Sequence, residues 1–118
     1  MREKKNSLSQ KTGVVTFSER VVKCALSIPK GKVSTYGRIA RAAGAGPMAS
    51  QSITTILGKA YEAGETRIPF HRIVYADGRI WVSAKYRAER LKRYKEEKIE
   101  LDESDRIKDF RDKLFEFR

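Results

Sequence analysis

Apolar positions first form a helical stripe. Phe17, Val21, Cys24, Ala25 and Ile28 follow the spacing i, i+4, i+7, i+8, i+11, which predicts a helix over about Ser18 to Ser27. Pro29 and Gly31 stop it. A short second helix is expected from about Thr35 to Ala43, with Ser34 as N-cap and Ile39, Ala40 and Ala43 on its apolar side. Gly44, Ala45, Gly46 and Pro47 make a tight connection to a third helix, roughly Ala49 to Ala63. Ile53, Ile56, Leu57 and Ala60 mark its inner face, and Gln51, Ser52, Thr55 and Lys59 the opposite one. The period then changes. Ile73 to Ala76 and Arg79 to Val82, joined by Asp77-Gly78, predict a hairpin with a type I′ turn. Two more helices are expected, about Ala84 to Glu97 and about Ser104 to Phe117. Ile107, Phe110, Leu114 and Phe117 form the stripe by which the last one would dock on the core. The layout is then a flexible basic arm (1–13), one domain (14–101) and a C-terminal amphipathic helix (102–118) packed on it.

Composition turns this outline into a class. A chain of 118 residues with 40% hydrophobic side chains supports one folded domain. Lys plus Arg number 26 against 15 Asp plus Glu, a net charge of +11, which favours a polyanion as partner: nucleic acid first, a membrane surface second. Residues 1–84 hold 14 basic and 5 acidic side chains, about +9 of that excess. Two helices joined by a Gly-containing turn in so basic a segment read as a helix-turn-helix or as part of any small helical bundle. A hairpin following a helix-turn-helix is a wing. One cysteine excludes an internal disulfide, and one cysteine with one histidine excludes a Cys/His zinc site within the chain. Neither metal nor cofactor is expected. No apolar run is long enough for a transmembrane span, and residues 1–13 lack the apolar core of a secretion signal. A cytosolic monomer is therefore expected. One Asn and two Gln beside abundant Lys, Glu and Arg fit a thermophilic source. Cys24, on the first stripe, reads as a core residue rather than a nucleophile.

The chain's only histidine lies in Ile68-Pro69-Phe70-His71-Arg72-Ile73, just before the wing. Taken with Ile28-Pro29-Lys30-Gly31-Lys32-Val33-Ser34-Thr35-Tyr36-Gly37 and Asp77-Gly78, this segment resembles the DNA-binding domain of the O6-alkylguanine-DNA alkyltransferases, over about Phe17 to Leu101. The resemblance implies a mainly α fold with a small β-hairpin, a winged helix-turn-helix of the alkyltransferase C-terminal type. Active members carry Pro-Cys-His-Arg-Val, whose thiolate accepts the alkyl group. Phe70 stands at the cysteine position, and a phenyl ring has neither a nucleophilic electron pair nor an acidic proton. Such a replacement marks the alkyltransferase-like proteins. It implies a non-enzymatic binder of O6-alkylguanine in duplex DNA that flips the nucleotide and hands the lesion to nucleotide-excision repair proteins.

The resemblance also implies roles. Tyr36 matches the tyrosine that helps rotate the nucleotide out, a motion costing a few kcal/mol. Gln51 falls where the family has an arginine finger, and it is shorter and uncharged. Tyr36, Phe70, His71, Arg72, Val82 and Ser83 would form the lesion pocket, with Lys85 as a nearby cation and Glu97 near the glutamate that orients the histidine. Ser34, Thr35, Tyr36, Gly37, Ala49, Ser50, Gln51, Ser52, Thr55 and Lys59 would contact DNA, the small ones suiting a minor groove. Lys30, Lys32, Arg38, Arg41 and Lys59 are candidates for phosphate contact. Such a protein would lie with the nucleoid in a prokaryote or in the nucleus of a eukaryote. Two alternatives stay open: a winged-helix transcriptional or architectural DNA binder without lesion preference, and an enzyme such as a glycosylase or a nuclease partner.

Overall fold

The computed structural model describes residues 16–117. The basic arm expected over 1–13 lies outside them. Helix α1 (Phe17–Leu26) starts one residue ahead of the expected point, because Thr16 and Glu19 form a capping box. The Glu19 backbone N–H donates to Thr16 Oγ1 at 3.1 Å, and the Thr16 N–H donates to Glu19 Oε1 at 2.9 Å. Strand β1 (Ser34–Thr35) leads directly into α2 (Tyr36–Ala42). Thr35, not Ser34, caps α2, accepting from the Arg38 N–H at 3.1 Å. Ser34 is occupied in the ladder instead. A 3₁₀ turn (Pro47–Ala49) precedes α3 (Ser50–Glu62). Helices α1, α2 and α3 pack on one another and give the helix-turn-helix.

After α3 come a 3₁₀ turn at Phe70–Arg72 and strand β2 (Ile73–Val74). β1 and β2 pair in parallel, Ser34 with Ile73 and Thr35 with Val74. This two-strand sheet divides the interior. The side chains alternate across it, so Ile73 joins a first core of Val21, Ala25, Ile28, Ile39, Ala40, Ala43, Ile53, Leu57 and Ile68. Val74 joins a second, made by Val33, Ile80, Tyr94, Ile99 and Ile107.

The wing departs from the expected hairpin. Its turn does close, with the Tyr75 N–H on the Arg79 carbonyl at 3.0 Å and the Gly78 N–H on the Tyr75 carbonyl at 2.8 Å. Gly78 alone has positive φ, at +86°, so the loop Ala76–Gly78 is a three-residue turn rather than type I′. The returning limb then pairs with the C-terminal segment: Arg79 bridges Arg106, and the Ile80 N–H donates to the Asp105 carbonyl at 2.9 Å. The sheet is therefore parallel and two-stranded, not a β-hairpin.

The helix expected over Ala84 to Glu97 is a 3₁₀ turn (Ala84–Tyr86) followed by α4 (Arg87–Glu96). The helix expected over Ser104 to Phe117 is mostly absent: one helical turn, α5 (Phe110–Lys113), interrupts an extended strap. Its apolar residues serve different cores, Ile107 and Phe110 the second and Phe115 and Phe117 the first. A straight helix cannot reach both. Asp105 and Asp109 at φ +62° and +54° turn the chain, and the backbone pairs with Leu101, Gly78 and Val33. The fold is mainly helical, a winged helix-turn-helix carrying a C-terminal strap.

Candidate nucleic-acid interface

One carboxylate organises the segment around the histidine. Glu97, at the C-cap of α4, meets His71 Nε2 with Oε2 at 2.7 Å. Arg72 donates to the same oxygen through Nη2 at 2.7 Å, and through Nη1 to the Ile28 carbonyl at 2.8 Å. The Gly31 N–H donates to Glu97 Oε1 at 3.0 Å. Three separated segments, 28–31, 70–72 and the end of α4, are thus fastened together. Glu97 and His71 side chains are 8% and 6% exposed, which makes this a buried, hydrogen-bonded network rather than a surface ion pair. Burial pushes the Glu97 carboxyl up, but the donors from Arg72, Gly31 and His71 outweigh it and bring it down to about 2. Burial lowers His71 below its ordinary value by more than the hydrogen bond and charge of Glu97 raise it, and the charges of Arg72 and Arg93 add to the lowering. His71 is thus neutral at pH 7, its Nε2–H donating to Glu97. Its ring lies edge-on to Tyr94 at 6.0 Å.

This network backs a hollow of about 520 Å³. Phe70 forms part of its wall, half-buried, with its ring edge-on to Tyr61 at 5.9 Å. Tyr86, Arg67, Glu89, Arg90 and Arg93 complete the surround, with His71 and Arg72 also on the lining. Phe70, His71 and Arg72 therefore meet as expected. Tyr36 does not join them on this lining. It lines a second cleft, also about 520 Å³, with Gly37, Ser50, Gln51, Thr54, Tyr75, Ala76 and Trp81. The Tyr36 and Tyr75 rings are 5.9 Å apart, and the Arg79 guanidinium sits 5.8 Å over Tyr75. Burial and the neighbouring Tyr75 raise the Tyr36 phenol, against a hydrogen bond with Thr54 and the charge of Arg90, so it stays protonated. Arg90 lies between the two recesses and donates to the Trp81 carbonyl at 3.4 Å.

Val82 and Ser83 line neither recess. Val82 packs on the second core, and Ser83 is exposed before the 3₁₀ turn, its carbonyl accepting from the Tyr86 N–H at 3.1 Å. Lys85 lies over the Tyr86 ring at 5.4 Å instead. Ser34 and Thr35 are buried, 0% and 6% exposed, so their side chains face the interior and not a ligand. The exposed residues of α3 divide between its two sides: Gln51 and Thr54 face the Trp81 cleft, while Thr55 and Lys59 line a shallower groove against α1. Ala49 and Gly37 are partly buried, and Ser52 donates its hydroxyl to the Ala49 carbonyl at 2.8 Å. Of the phosphate candidates, Lys30, Arg41 and Lys59 are exposed. Lys32 is bonded to the Asp112 carbonyl at 2.9 Å, and Arg38 is 3.5 Å from Glu116.

Sequence reasoning missed Thr54, Tyr75 and Trp81. The signal for Trp81 was present, since the only tryptophan of a basic chain stood on a wing. Cys24 lines a different hollow, with Phe115 and Phe117, and burial raises its thiol, so it is no nucleophile for the Phe70 site. Among the described residues no cluster of His, Cys, Asp or Glu could hold a metal, and no helix is long and apolar enough to cross a membrane.

A helix-turn-helix with a wing, an exposed polar face on its second helix and a recess walled by aromatic rings defines a nucleic-acid-binding module. Comparison with known proteins makes this specific. Residues 16–99 match the 6-O-methylguanine DNA methyltransferase, DNA binding domain family, and the chain belongs to it. It is 38% identical over 65 residues to the DNA base-flipping protein of Escherichia coli K12, and equally to that of Shigella flexneri. The match covers 55% of this chain and 48% of each of those, so it spans about half their length. The crystal structure of S. pombe Atl1 in complex with damaged DNA containing O6-carboxymethylguanine superposes with a TM-score of 0.69 at 28% identity, covering 86% of this chain and 95% of that one. S. pombe ATL in complex with DNA gives 0.67 at 26% identity over the same shares. The chain is an alkyltransferase-like protein.

Proposed function

We propose that the chain recognises O6-alkylguanine in duplex DNA by rotating the nucleotide out of the stack, and transfers nothing to itself. The observation that carries this is the Glu97–His71–Arg72 network assembled behind a phenyl ring. The network positions residue 70 on the wall of a hollow, and Phe70 offers apolar and edge contacts to a base or its alkyl group. In this reading the exposed face of α3 (Gln51, Ser52, Thr55, Lys59, with Ala49 and Ser50 at its start) lies against the duplex. Tyr36 and Gly37 meet the nucleotide that moves. The chemistry of a lesion that pairs badly lowers the cost of flipping it. The name and ligand of the bacterial and S. pombe relatives support the same direction. Nucleotide-excision repair proteins are the partners we propose for the bound lesion, and the nucleoid or nucleus the place.

The test compares O6-methylguanine and guanine duplexes at fixed salt. The lesion duplex should bind more tightly, and the protein's mass should be unchanged after incubation. Phe70→Ala and Tyr36→Ala should each lower the lesion preference. Equal affinity for both duplexes, with indifference to Phe70→Ala, would establish the plain winged-helix regulator instead. Abasic sites or strand breaks after incubation would establish an enzyme.

A further inference from the structure

Two phenylalanines at the end of the strap, Phe115 and Phe117, wall a third hollow of about 470 Å³. Its other side is α1, through Lys23, Cys24 and Ser27, with Ala42 at the end of α2. Beyond α5 the strap is extended, so the two rings fall on one face and Glu116 on the other, toward Arg38. The rings meet edge to face at 5.1 Å, and both stay only half-buried. Two cations reach the same hollow. Lys23 is exposed, and Arg20 is held by its Nε–H on the Ala43 carbonyl at 2.7 Å. Both lie close enough to pull the Cys24 thiol down against the larger effect of burial. No Asp or Glu is among the described residues that line this hollow, and none of the residues assigned above to duplex or lesion lines it. Apolar rings and a thiol at the centre, with cations at the rim, suit an apolar side chain flanked by negative charge.

We propose that this hollow docks an acidic segment of another protein. One aromatic side chain of that segment sits between Phe115, Phe117 and Cys24, and its carboxylates meet Lys23 and Arg20. The buried ring supplies affinity, and the charges supply orientation and fast encounter. Charge argues against the other occupants. A second copy carries the same net +11, and residues 1–15 hold Arg2, Lys4, Lys5 and Lys11 against Glu3 alone. Both would bring like charge to Lys23 and Arg20. DNA matches the cations, but its phosphates offer nothing apolar to seat between the rings. The docked segment deepens the functional reading above by giving its repair partner a surface, and rests on that reading only for there being a partner. Duplex and partner would be held at once, on different residues.

The test uses the full chain at physiological salt and labelled peptides of equal length. The first is acidic with a central Phe, the second has Ala for that Phe, the third has Lys for every acid, and the fourth is the sequence of residues 1–15. Anisotropy should show the first bind and each of the others bind at least about tenfold more weakly. Lys23→Glu should weaken the first about tenfold, and Lys92→Glu, exposed on α4, less than about twofold. Phe117→Ala should weaken it too, and Lys23→Glu, a change at an exposed position, carries the result if that truncation disturbs the fold. The chain's only thiol gives a local signal. The bound acidic peptide should slow maleimide alkylation of Cys24 several-fold, and a lesion duplex should not. Equal binding of the Phe and Ala peptides, equal loss with Lys23→Glu and Lys92→Glu, or an unchanged alkylation rate overturns the docking site. Tight binding of the 1–15 peptide would make the arm the occupant, and a dimer in sedimentation that Phe117→Ala abolishes would make it a second copy; either overturns the acidic partner. Loss of lesion preference in the duplex comparison overturns the flipping reading instead, whatever the peptides do.

Discussion

The two recesses stand side by side and are built in opposite ways. Behind Phe70, one carboxylate ties the polar groups together: Glu97 takes hydrogen bonds from His71, Arg72 and Gly31, and Arg72 also reaches Ile28. Around the wing, Gln51 and Trp81 project into solvent. The first arrangement is fixed before any ligand arrives. The second leaves side chains free to adjust to what enters. On the function proposed above, the first recess would hold one base in a fixed pose and the second would follow a duplex whose shape varies.

The contrast breaks most sharply at Glu97. Glu97→Ala leaves Arg72 and His71 buried without their acceptor, which costs on the order of 3–5 kcal/mol. Chemical denaturation should show that loss, whereas Gln51→Ala should stay within about 0.5 kcal/mol of the parent. Similar losses for the two would erase the distinction.

Acidity attacks the same region next. The unfolded chain protonates His71 near 6.5 and Glu97 near 4.5, in each case before the folded chain does. Stability is therefore complete above about pH 6.5, begins to fall as His71 must charge, and drops further from 4.5 toward about 2 as Glu97 is protonated. Urea midpoints across pH 7 to 3 should follow this course, and Glu97→Gln should flatten the acid limb. A flat profile in the parent would mean the network is not coupled to folding.

The wing gives a smaller effect. At Gly78 an added Cβ would meet the Phe110 ring at 3.1–3.3 Å, in a backbone held at φ +86°. Gly78→Ala should cost about 1–3 kcal/mol and loosen the wing, lowering DNA affinity more than it lowers melting temperature. Smallest is the cap of α2. Thr35→Ala removes the bond to the Arg38 N–H and should cost about 1 kcal/mol, seen in thermal melts.

How far the sequence foretold these features depends on where the information lies. Helices α1 to α3 were legible because their stripes match a 3.6-residue period and their buried residues Val21, Ala25, Ile39, Ile53 and Leu57 sit on those stripes. The meeting of Phe70, His71 and Arg72 was legible because they are consecutive. The strap was not. Ile107, Phe110, Leu114 and Phe117 keep helical spacing while Asp105 and Asp109 turn the backbone between them. What overrides the period is the set of unpaired edges at Gly78, Ile80 and Val33, which only the assembled fold presents. The Trp81 cleft was hidden for the same reason: wing and α3 are distant in sequence and meet through β1 and β2.

The strap also has a consequence for synthesis. A ribosome makes it after everything it fastens. When the chain has emerged only as far as Leu101, Val33, Gly78 and Ile80 still lack the partners that Lys113, Phe115, Ile107 and Asp105 provide. The helix-turn-helix can form early in translation, while the wing and the second core wait for the strap to arrive. Ribosome-stalled chains of increasing length should therefore gain protease resistance in two steps, the later one at the strap.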